Sequence, residues 1–259
     1  MTSASQRFLS VLAACILGSV IVPTAAGKQG TVTASRVGSG VVLTPDQAEF
    51  LSHVTMVDLP DGQGGFVRAV RISGINVQVV NGTGSTIGPL NGLGNLIVGY
   101  NELGNQNGDN RTGSHNIVGG WKNSFSGAGG FVVGESNTAS HHWVSVSGGA
   151  YNTASYMGAS ISGGHHNTAC GFSAAVSGGS FNTASAADSS VSGGNGHTAD
   201  GCRSSISGGK FNMTSGEGSS ISGGAYNTAS GMWSSVSGGI VHSAPSLSDW
   251  AAGSLFEDE

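Results

Sequence analysis

A fifteen-residue repeat fills residues 146–239 and limits what this chain can fold into. Each copy places one β-branched aliphatic residue in the same phase, two residues before a Gly pair, and most copies read Ser-Val-Ser-Gly-Gly-x-x-Asn-Thr-Ala-Ser. A unit this short cannot bury its apolar side chain alone, so neighbouring copies must stack around a common core. The repeat therefore predicts a solenoid. Its aliphatic positions are Val146, Ile161, Val176, Val191, Ile206, Ile221 and Val236.

The residue types of the repeat favour a β-solenoid over a helical one. Helical repeats run to about 33 to 47 residues and are built on strong helix formers. Each unit here instead holds Gly, Ser and a β-branched residue. We expect two short strands per coil, with the parallel strands of neighbouring coils about 4.8 Å apart. The predicted fold class is all-β, a parallel β-solenoid or β-roll of fifteen-residue coils. A disordered Gly/Ser linker would not need aliphatic residues in fixed phase.

The composition limits which partners and reactions are expected. Of 259 residues 46 are Gly and 9% are charged, so Ser, Thr, Asn and Gly must cover the surface. The net charge of -5 and the thinly spread Lys and Arg residues predict no nucleic-acid partner. His53, Asp58 and Asp61 lack the spacing of a metal or catalytic site and are interpreted as solvated turn residues. We therefore predict no catalytic residue, no metal and no cofactor.

The first 26 residues are typical of an export signal. Arg7 precedes an apolar run over residues 8–22, and the Thr-Ala-Ala sequence ending at residue 26 has the small residues of a cleavage site. The run is shorter than the about 20 apolar residues of a membrane helix, so the mature chain is expected to have no transmembrane segment. The prediction is an exported protein, secreted or at the cell surface. The Leu-Ala-Ala-Cys sequence ending at Cys15 leaves lipid anchoring open, as well as an uncleaved anchor.

Residues 27–90 lack the repeat and are predicted to form a small mixed module that caps the first coil. Thr44 lies before Pro45, and Gln47 follows three residues after Thr44, so we predict a helix through about Ser52. Three strands are predicted, over residues 54–57, 66–72 and 75–80, with turns at Asp61-Gly62 and Asn81-Gly82.

The solenoid is predicted to cover residues 91–244, and its first coils are irregular. Apolar groups followed by Gly recur at twenty- and then fifteen-residue spacing, with the excess in a polar loop over residues 104–113. Residues 245–259 break the period at Pro245. We expect Trp250, Leu255 and Phe256 to fold over the last coil as a cap, and a partner-binding peptide is the alternative.

Residues fifteen apart should stack in columns along the solenoid axis. The aliphatic column is predicted to face inward, opposite a column of Ala. A third column holds Asn residues, whose side chains are expected to form an amide ladder that donates and accepts along the axis. This ladder consists of Asn152, Asn167, Asn182, Asn212 and Asn227.

One outward column carries rings on a surface otherwise covered by Ser, Thr and Gly. Such an apolar strip usually marks an interface, so these residues are the candidate interface. Local packing over the coil edge is the alternative. The column consists of Tyr151, His166, Phe181, Phe211 and Tyr226, and Gly196 interrupts it.

Three other side-chain predictions concern the repeats. Asp188 and Arg203 occupy one column in neighbouring coils and are expected to form a surface ion pair. Cys170 and Cys202 are two coils and two positions apart, beyond the about 7 Å limit between Cα atoms for a disulfide. We expect both to be free thiols on or near the surface.

A short segment carries a resemblance to a known family. Residues 169–178 read Ala-Cys-Gly-Phe-Ser-Ala-Ala-Val-Ser-Gly and resemble the head repeat of YadA-type trimeric autotransporter adhesins, which runs Ala-x-Gly-x-x-Ser-x-Ala-Ile-Gly. The chain is also similar to uncharacterised exported bacterial proteins built of Ser-Val-Ser-Gly-Gly-x-x-Asn-Thr-Ala-Ser repeats. The likeness covers residues 91–244. It implies a β-roll, a homotrimer and attachment to host or matrix surfaces, although the period here is one residue longer than in the adhesins.

These observations predict an exported, non-enzymatic, adhesin-like repeat protein that attaches to a surface glycan or matrix ligand through its solenoid face. The alternative is an ice-binding solenoid, because Thr-x-Ser recurs on one outer face at a coil spacing of about 4.8 Å, with interruptions at Cys170, Asp200 and Met213. A polysaccharide-cleaving β-helix enzyme is a third interpretation. It requires clustered acids, which the columns do not supply.

Overall fold

The computed structural model describes residues 35–37 and 40–253, and the side chains from residue 43 onward. The predicted signal sequence, Cys15, Leu255 and Phe256 lie outside this range. Contacts divide the chain into two units between Val77 and Gln78. Within the described residues, no helix has both the length and the apolar character needed to cross a membrane.

The described part of the first unit contains one helix and two antiparallel strand pairs. Strand β1 (Ser35–Val37) pairs with β2 (Gly40–Val42), and β3 (Val54–Pro60) pairs with β4 (Phe66–Ile72). Helix α1 (Pro45–Ser52) lies between the two pairs in sequence.

The predicted start of α1 and the predicted turn after β3 are both confirmed. The Thr44 side chain accepts a hydrogen bond from the Gln47 N–H, and the Gln47 side chain accepts one from the Thr44 N–H, which satisfies two helix-end donors. At the hairpin turn, Oδ1 of Asp61 accepts hydrogen bonds from the N–H groups of Gln63 and Gly65. The turn therefore rests on local side-chain chemistry.

The strand predicted over residues 75–80 is wrong, because the backbone there is irregular. Gly74 has φ +79 and turns the chain away after β4. Ile75, Val77 and Val79 alternate as strand residues do, but they are exposed and pair with no strand among the described residues. A strand pattern forms no sheet without a neighbour that accepts its backbone hydrogen bonds.

Two parallel sheets form the second unit, and each regular coil contributes one strand to each. The first sheet has 11 strands and the second has 9. The predicted parallel β-solenoid is therefore confirmed. The first sheet consists of β5 (Leu96–Val98), β6 (Ile117–Trp121), β8 (Phe131–Glu135), β10 (Ser145–Val146), β12 (Ser160–Ile161), β14 (Ala175–Val176), β16 (Ser190–Val191), β18 (Ser205–Ile206), β20 (Ser220–Ile221), β22 (Ser235–Val236) and β24 (Trp250–Ala251). The second consists of β7 (Ser124–Phe125), β9 (Thr138–Ala139), β11 (Thr153–Ala154), β13 (Thr168–Ala169), β15 (Thr183–Ala184), β17 (Thr198–Ala199), β19 (Met213–Thr214), β21 (Thr228–Ala229) and β23 (Ser243–Ala244).

The first coils differ in length from the regular ones. Ile97 pairs with Val118, 21 residues later, and Val118 pairs with Val132, 14 residues later. The predicted spacing of twenty and then fifteen is wrong by one residue in each case. The extra residues of the 21-residue coil form a loop. In this loop the Asp109 carboxylate accepts hydrogen bonds from the N–H groups of Gly104 and Asn105. These hydrogen bonds lower the pKa of Asp109.

The core is a narrow space between the two sheets, filled by small side chains. The aliphatic column faces inward as predicted, and Val191 is 1% exposed. Opposite it lies the Ala column, where Thr214 replaces Ala and donates a hydrogen bond from Oγ1 to Oγ of the buried Ser204. The Ala members with 0% exposure are Ala154, Ala169, Ala184, Ala199, Ala229 and Ala244.

The predicted cap is wrong for the part of the tail that the structure describes. Strand β24 pairs in register with β22, and Trp250 stays exposed on the sheet with its Nε1–H donating to Oγ of Ser237 at 2.8 Å. Pro245 removes one backbone donor from the column that carries the second sheet. Ser230 occupies the equivalent position one coil earlier, and its N–H donates to the Ala244 carbonyl at 3.1 Å. Pro245 has no N–H and cannot donate a hydrogen bond of this kind to a following coil.

We expect Val191→Asp to destabilise the chain by more than about 4 kcal/mol, because it places an unpaired carboxylate in the core. Ser192→Asp is the matched control, since Ser192 is exposed one residue later. Denaturant unfolding followed by circular dichroism measures both. Equal stability of the two variants would contradict the inward assignment of the aliphatic column.

Candidate functional site

The five ring residues lie at one corner of the coil, just before the strands of the second sheet. All five adopt the left-handed conformation, with φ between 52° and 58°. Left-handed backbone costs a non-Gly residue about 1 to 2 kcal/mol and is uncommon for bulky side chains. We call this column, Tyr151, His166, Phe181, Phe211 and Tyr226, the ring strip.

A reversal of backbone hydrogen bonding explains the left-handed conformation. The Ala150 N–H donates to the Gly164 carbonyl in the next coil, whereas the Tyr151 N–H donates to the Glu135 carbonyl in the preceding coil. Two successive N–H groups therefore point in opposite directions along the axis. Gly and Asn are the residues that usually mark this conformation, and Gly196 is the one Gly in this column of the repeats.

The side chains of the ring strip stack on one another in two groups. The ring centres of Tyr151 and His166 are 5.0 Å apart with planes 15° apart, and those of His166 and Phe181 are 5.1 Å and 12° apart. Phe211 and Tyr226 are 5.3 Å apart with a tilt of 32°. Phe181 is 58% exposed and Tyr226 is 54% exposed. The rings pack along the axis, and Phe181, Phe211 and Tyr226 are also exposed to solvent.

Polar and charged side chains border the ring strip. His165 meets Tyr151 and Phe181 edge-on, at 5.4 and 6.1 Å between ring centres. The Lys210 ammonium lies 5.2 Å from the centre of the Phe211 ring, within range of a cation–π interaction. The surface therefore combines flat apolar rings with donors and a positive charge.

Each side chain of the Asn ladder binds three backbone groups. Oδ1 of Asn152 accepts a hydrogen bond from the Asn167 N–H at 3.0 Å, and its Nδ2 donates to the carbonyls of Gly148 at 3.2 Å and Gly164 at 3.0 Å. The amides donate and accept along the axis as expected, but their partners are backbone groups and not other amides. The same pattern holds at Asn137, Asn167, Asn182, Asn212 and Asn227.

His197 takes the place of Asn in one coil and satisfies the position incompletely. Its Nδ1 accepts a hydrogen bond from the Asn212 N–H at 3.1 Å, as an Asn oxygen would. Its Nε2 is buried and faces the Gly209 carbonyl without reaching hydrogen-bond geometry. Burial lowers the pKa of His197, while the backbone of Gly209 and Asn212 acts in the opposite direction.

The predicted ion pair is wrong. Arg203 pairs with Glu217, with Nη1 and Oε1 2.7 Å apart, and not with Asp188. Glu has one methylene more than Asp, which extends its reach from the next coil. Both partners are solvent-exposed, so the pair contributes at most about 1 kcal/mol.

Cys170 and Cys202 are free, as predicted. Burial raises the pKa of the Cys170 thiol, and the Asp200 carboxylate raises it further. Within the described part of the chain, no three His, Cys, Asp or Glu side chains lie where they could hold a metal ion. The absence of catalysis stays a prediction.

The outer hydroxyls of the second sheet form a regular but interrupted array. Thr153, Thr168, Thr183 and Thr198 pair in parallel register along one column. Met213 then replaces Thr, and in the neighbouring column the Asp200 carboxylate accepts a hydrogen bond from Ser185 at 2.7 Å. The uninterrupted part of the array therefore spans only a few coils.

The geometry defines the chain as a parallel β-solenoid with an exposed ladder of rings. No protein-family model matches the chain, and no curated protein matches it in sequence. The resemblance to trimeric adhesin heads therefore stays a prediction.

His197→Asn should stabilise the chain and change its response to acid. The lowered pKa means that the folded state favours neutral His197, so its contribution is complete above about pH 6.5 and is lost as the pH falls below that value. The Asn variant restores the missing donor, a gain of about 1 kcal/mol at neutral pH. Its advantage over the wild type should grow between pH 7 and pH 5. A constant difference in unfolding free energy across this range would contradict the assignment.

Proposed function

We propose that this chain is an exported attachment protein whose solenoid presents the ring strip to a surface glycan or a matrix ligand. The observation that carries the proposal is the ring strip itself. Five bulky residues hold a left-handed backbone conformation that Gly would adopt at lower cost. Phe181, Phe211 and Tyr226 are exposed, and Tyr151 and His166 are half-buried. The same conformation recurs in a second column, at Ser173, Asp188, Arg203, Trp233 and Ser248, so the backbone geometry belongs to the coil. What supports a role beyond folding is that stacked rings, three of them exposed, occupy the position in this column.

The chemistry of the strip fits a ligand that is apolar on one side and hydroxylated on the other. Aromatic rings carry negative charge on their faces and positive charge at their edges, and they bury large areas on contact. His165 and Lys210 supply polar groups at the border. The C–H groups of a sugar can pack on the rings while its hydroxyls meet the surrounding Ser, Asn and His side chains.

The first Gly of each repeated pair supports an external contact at the same corner. The second Gly has an internal reason, since Gly164 has φ +88 and a Cβ there would lie 2.1 Å from the Gly179 oxygen. At the first position φ is not left-handed, and a Cβ would meet no described atom of the chain within 4 Å. A Gly costs about 0.5 to 1 kcal/mol relative to Ala in ordered backbone, so a surface that approaches from outside would explain its recurrence. These positions are Gly163, Gly178, Gly193, Gly208 and Gly223.

A homotrimer is a second use that the resemblance suggests for the same strip. Aromatic pairs across a subunit contact would contribute about 0.5 to 1.5 kcal/mol each beyond the area that they bury. Light scattering on the wild-type chain separates the two uses. A trimer that dissociates when the rings are removed would make the strip a subunit contact, and a monomer would remove the trimer from the proposal.

The test removes two rings and measures attachment. Phe181→Ser combined with Phe211→Ser should lower binding to a glycan array by at least about tenfold, because both stacks lose an exposed ring. Phe172→Ser combined with Trp233→Ser is the matched control, since it removes two equally exposed rings from the turns at the other end of the second-sheet strands. Equal binding by the ring-strip variant and the wild type would contradict the proposal, as would an equal loss in the control.

Ice binding is the second candidate function, favoured by the parallel register of Thr153, Thr168, Thr183 and Thr198. Hydroxyls repeated at about 4.8 Å could order water in a lattice. Thermal hysteresis of the purified chain measures this activity directly. Thr168→Leu and Thr183→Leu should abolish any hysteresis, and its absence from the wild type removes this candidate.

A further inference from the structure

The ring strip has one break, and the rings on either side of it do not touch. Gly196 occupies the left-handed position between Phe181 and Phe211, with φ +71. Neighbouring rings elsewhere in the strip are 5.0 to 5.3 Å apart. Omitting one ring separates Phe181 from Phe211 by two coil repeats, about 10 Å at the parallel-strand spacing. One ring placed at the level of Gly196 would continue the column at its usual spacing.

The side chain of Phe211 extends toward Gly196, into the position where a ring is missing. A Cβ on Gly196 would lie 2.4 Å from two atoms of the Phe211 ring. The plane of Phe211 is also tilted by 32° from that of Tyr226, whereas the rings of the other stack are 12° to 15° apart. The side chain therefore departs from the column in the direction where a ring is missing. In this structure the Phe211 ring fills the space above Gly196, so a ligand would enter only if this exposed ring rotated back to the column orientation.

The positive charge beside the break indicates that a ligand bound there would be an anion. Residues 123–253 contain two Lys or Arg residues, Arg203 and Lys210. Arg203 is paired with Glu217, whereas Lys210 forms no ion pair with any residue that the structure describes. Lys210 directly precedes Phe211, and its bridge partner in the preceding coil is Asn195, next to Gly196. The free cation of the repeats thus lies at the break.

We propose that the break at Gly196 is a cleft that binds one pyranose ring carrying a carboxylate, such as a hexuronate residue of an acidic polysaccharide. The C–H faces of the sugar pack against Phe181 and Phe211, and the carboxylate pairs with the Lys210 ammonium. Asn195 supplies an amide for a sugar hydroxyl. This inference rests on the proposed attachment function and names its ligand.

The test titrates the isotope-labelled wild-type chain with methyl glucuronide and, separately, with methyl glucoside, its uncharged counterpart. Amide signals of Gly196 and Phe211 should shift and saturate with the glucuronide. The glucoside should bind about tenfold more weakly, the effect of losing one charge-assisted contact. Lys210→Met should reduce the affinity for glucuronide to that for glucoside. Equal affinities of the wild type for the two sugars would overturn the role of Lys210.

Gly196→Phe fills the cleft with a ring of the chain itself and should abolish the shifts. Its matched control is Gly218→Phe, because Gly218 also has left-handed φ, at +65, and also lies under an aromatic ring, that of Trp233. The control should bind glucuronide as the wild type does. Unchanged binding by Gly196→Phe would overturn the cleft.

The same variant separates the cleft from the proposed function. Gly196→Phe keeps and extends the ring strip. If it attaches to the glycan array as the wild type does, while loss of Phe181 and Phe211 abolishes attachment, the cleft is overturned and the proposed function stands. If Gly196→Phe loses attachment and the Gly218→Phe control keeps it, the cleft is supported as the ligand site.

Discussion

The side-chain amide of Asn holds each coil to the next, and the rest of the solenoid depends on it. At the corner after the Gly pair, the Asn backbone N–H is buried and the Gly carbonyls are partly buried, and none of them takes part in the strand pairing of either sheet. An unsatisfied buried group of this kind costs about 1 to 3 kcal/mol. Each Asn satisfies two of them, one N–H and the carbonyl of the first Gly, and also donates to the next coil's second Gly carbonyl, which already accepts a backbone N–H. Each Asn is at most 1% exposed. The Asn side chain therefore supplies the hydrogen bonds of the corner from within the chain.

The same constraint explains how the ring strip arises. With Asn fixed inside, the preceding residue must direct its N–H to the previous coil and its side chain to the outside, which is the left-handed conformation seen at Phe181 and its equivalents. The geometry of the buried Asn ladder thus places the residues of the ring strip on the surface. These surface residues can vary with little effect on the packing of the core. The aliphatic and Ala columns supply the apolar burial, in a core too narrow for larger side chains.

Periodicity was enough to predict which columns lie inside, because stacking converts a fixed phase into a fixed environment. It located the aliphatic column and the Ala column, whereas the capping sequence from Thr44 to Gln47 located the helix. It did not reveal the left-handed backbone at Tyr151, since aromatic residues rarely signal that conformation. The partner of Arg203 and the path of residues 245–251 were also missed. The partner of Arg203 depends on the length of the acidic side chain, and the path of residues 245–251 depends on which backbone N–H groups are available. The phase of the repeat specifies neither.

The measurement that tests this account most directly is the unfolding free energy of Asn167→Ala, compared with that of Asn195→Ala. Asn167 has Asn neighbours in both adjoining coils and makes three backbone hydrogen bonds, whereas Asn195 makes one long bond of 3.4 Å to the Ser180 carbonyl. The account predicts a loss of about 3 kcal/mol or more at Asn167 and less than about 0.5 kcal/mol at Asn195. Equal and small losses at the two positions would contradict it.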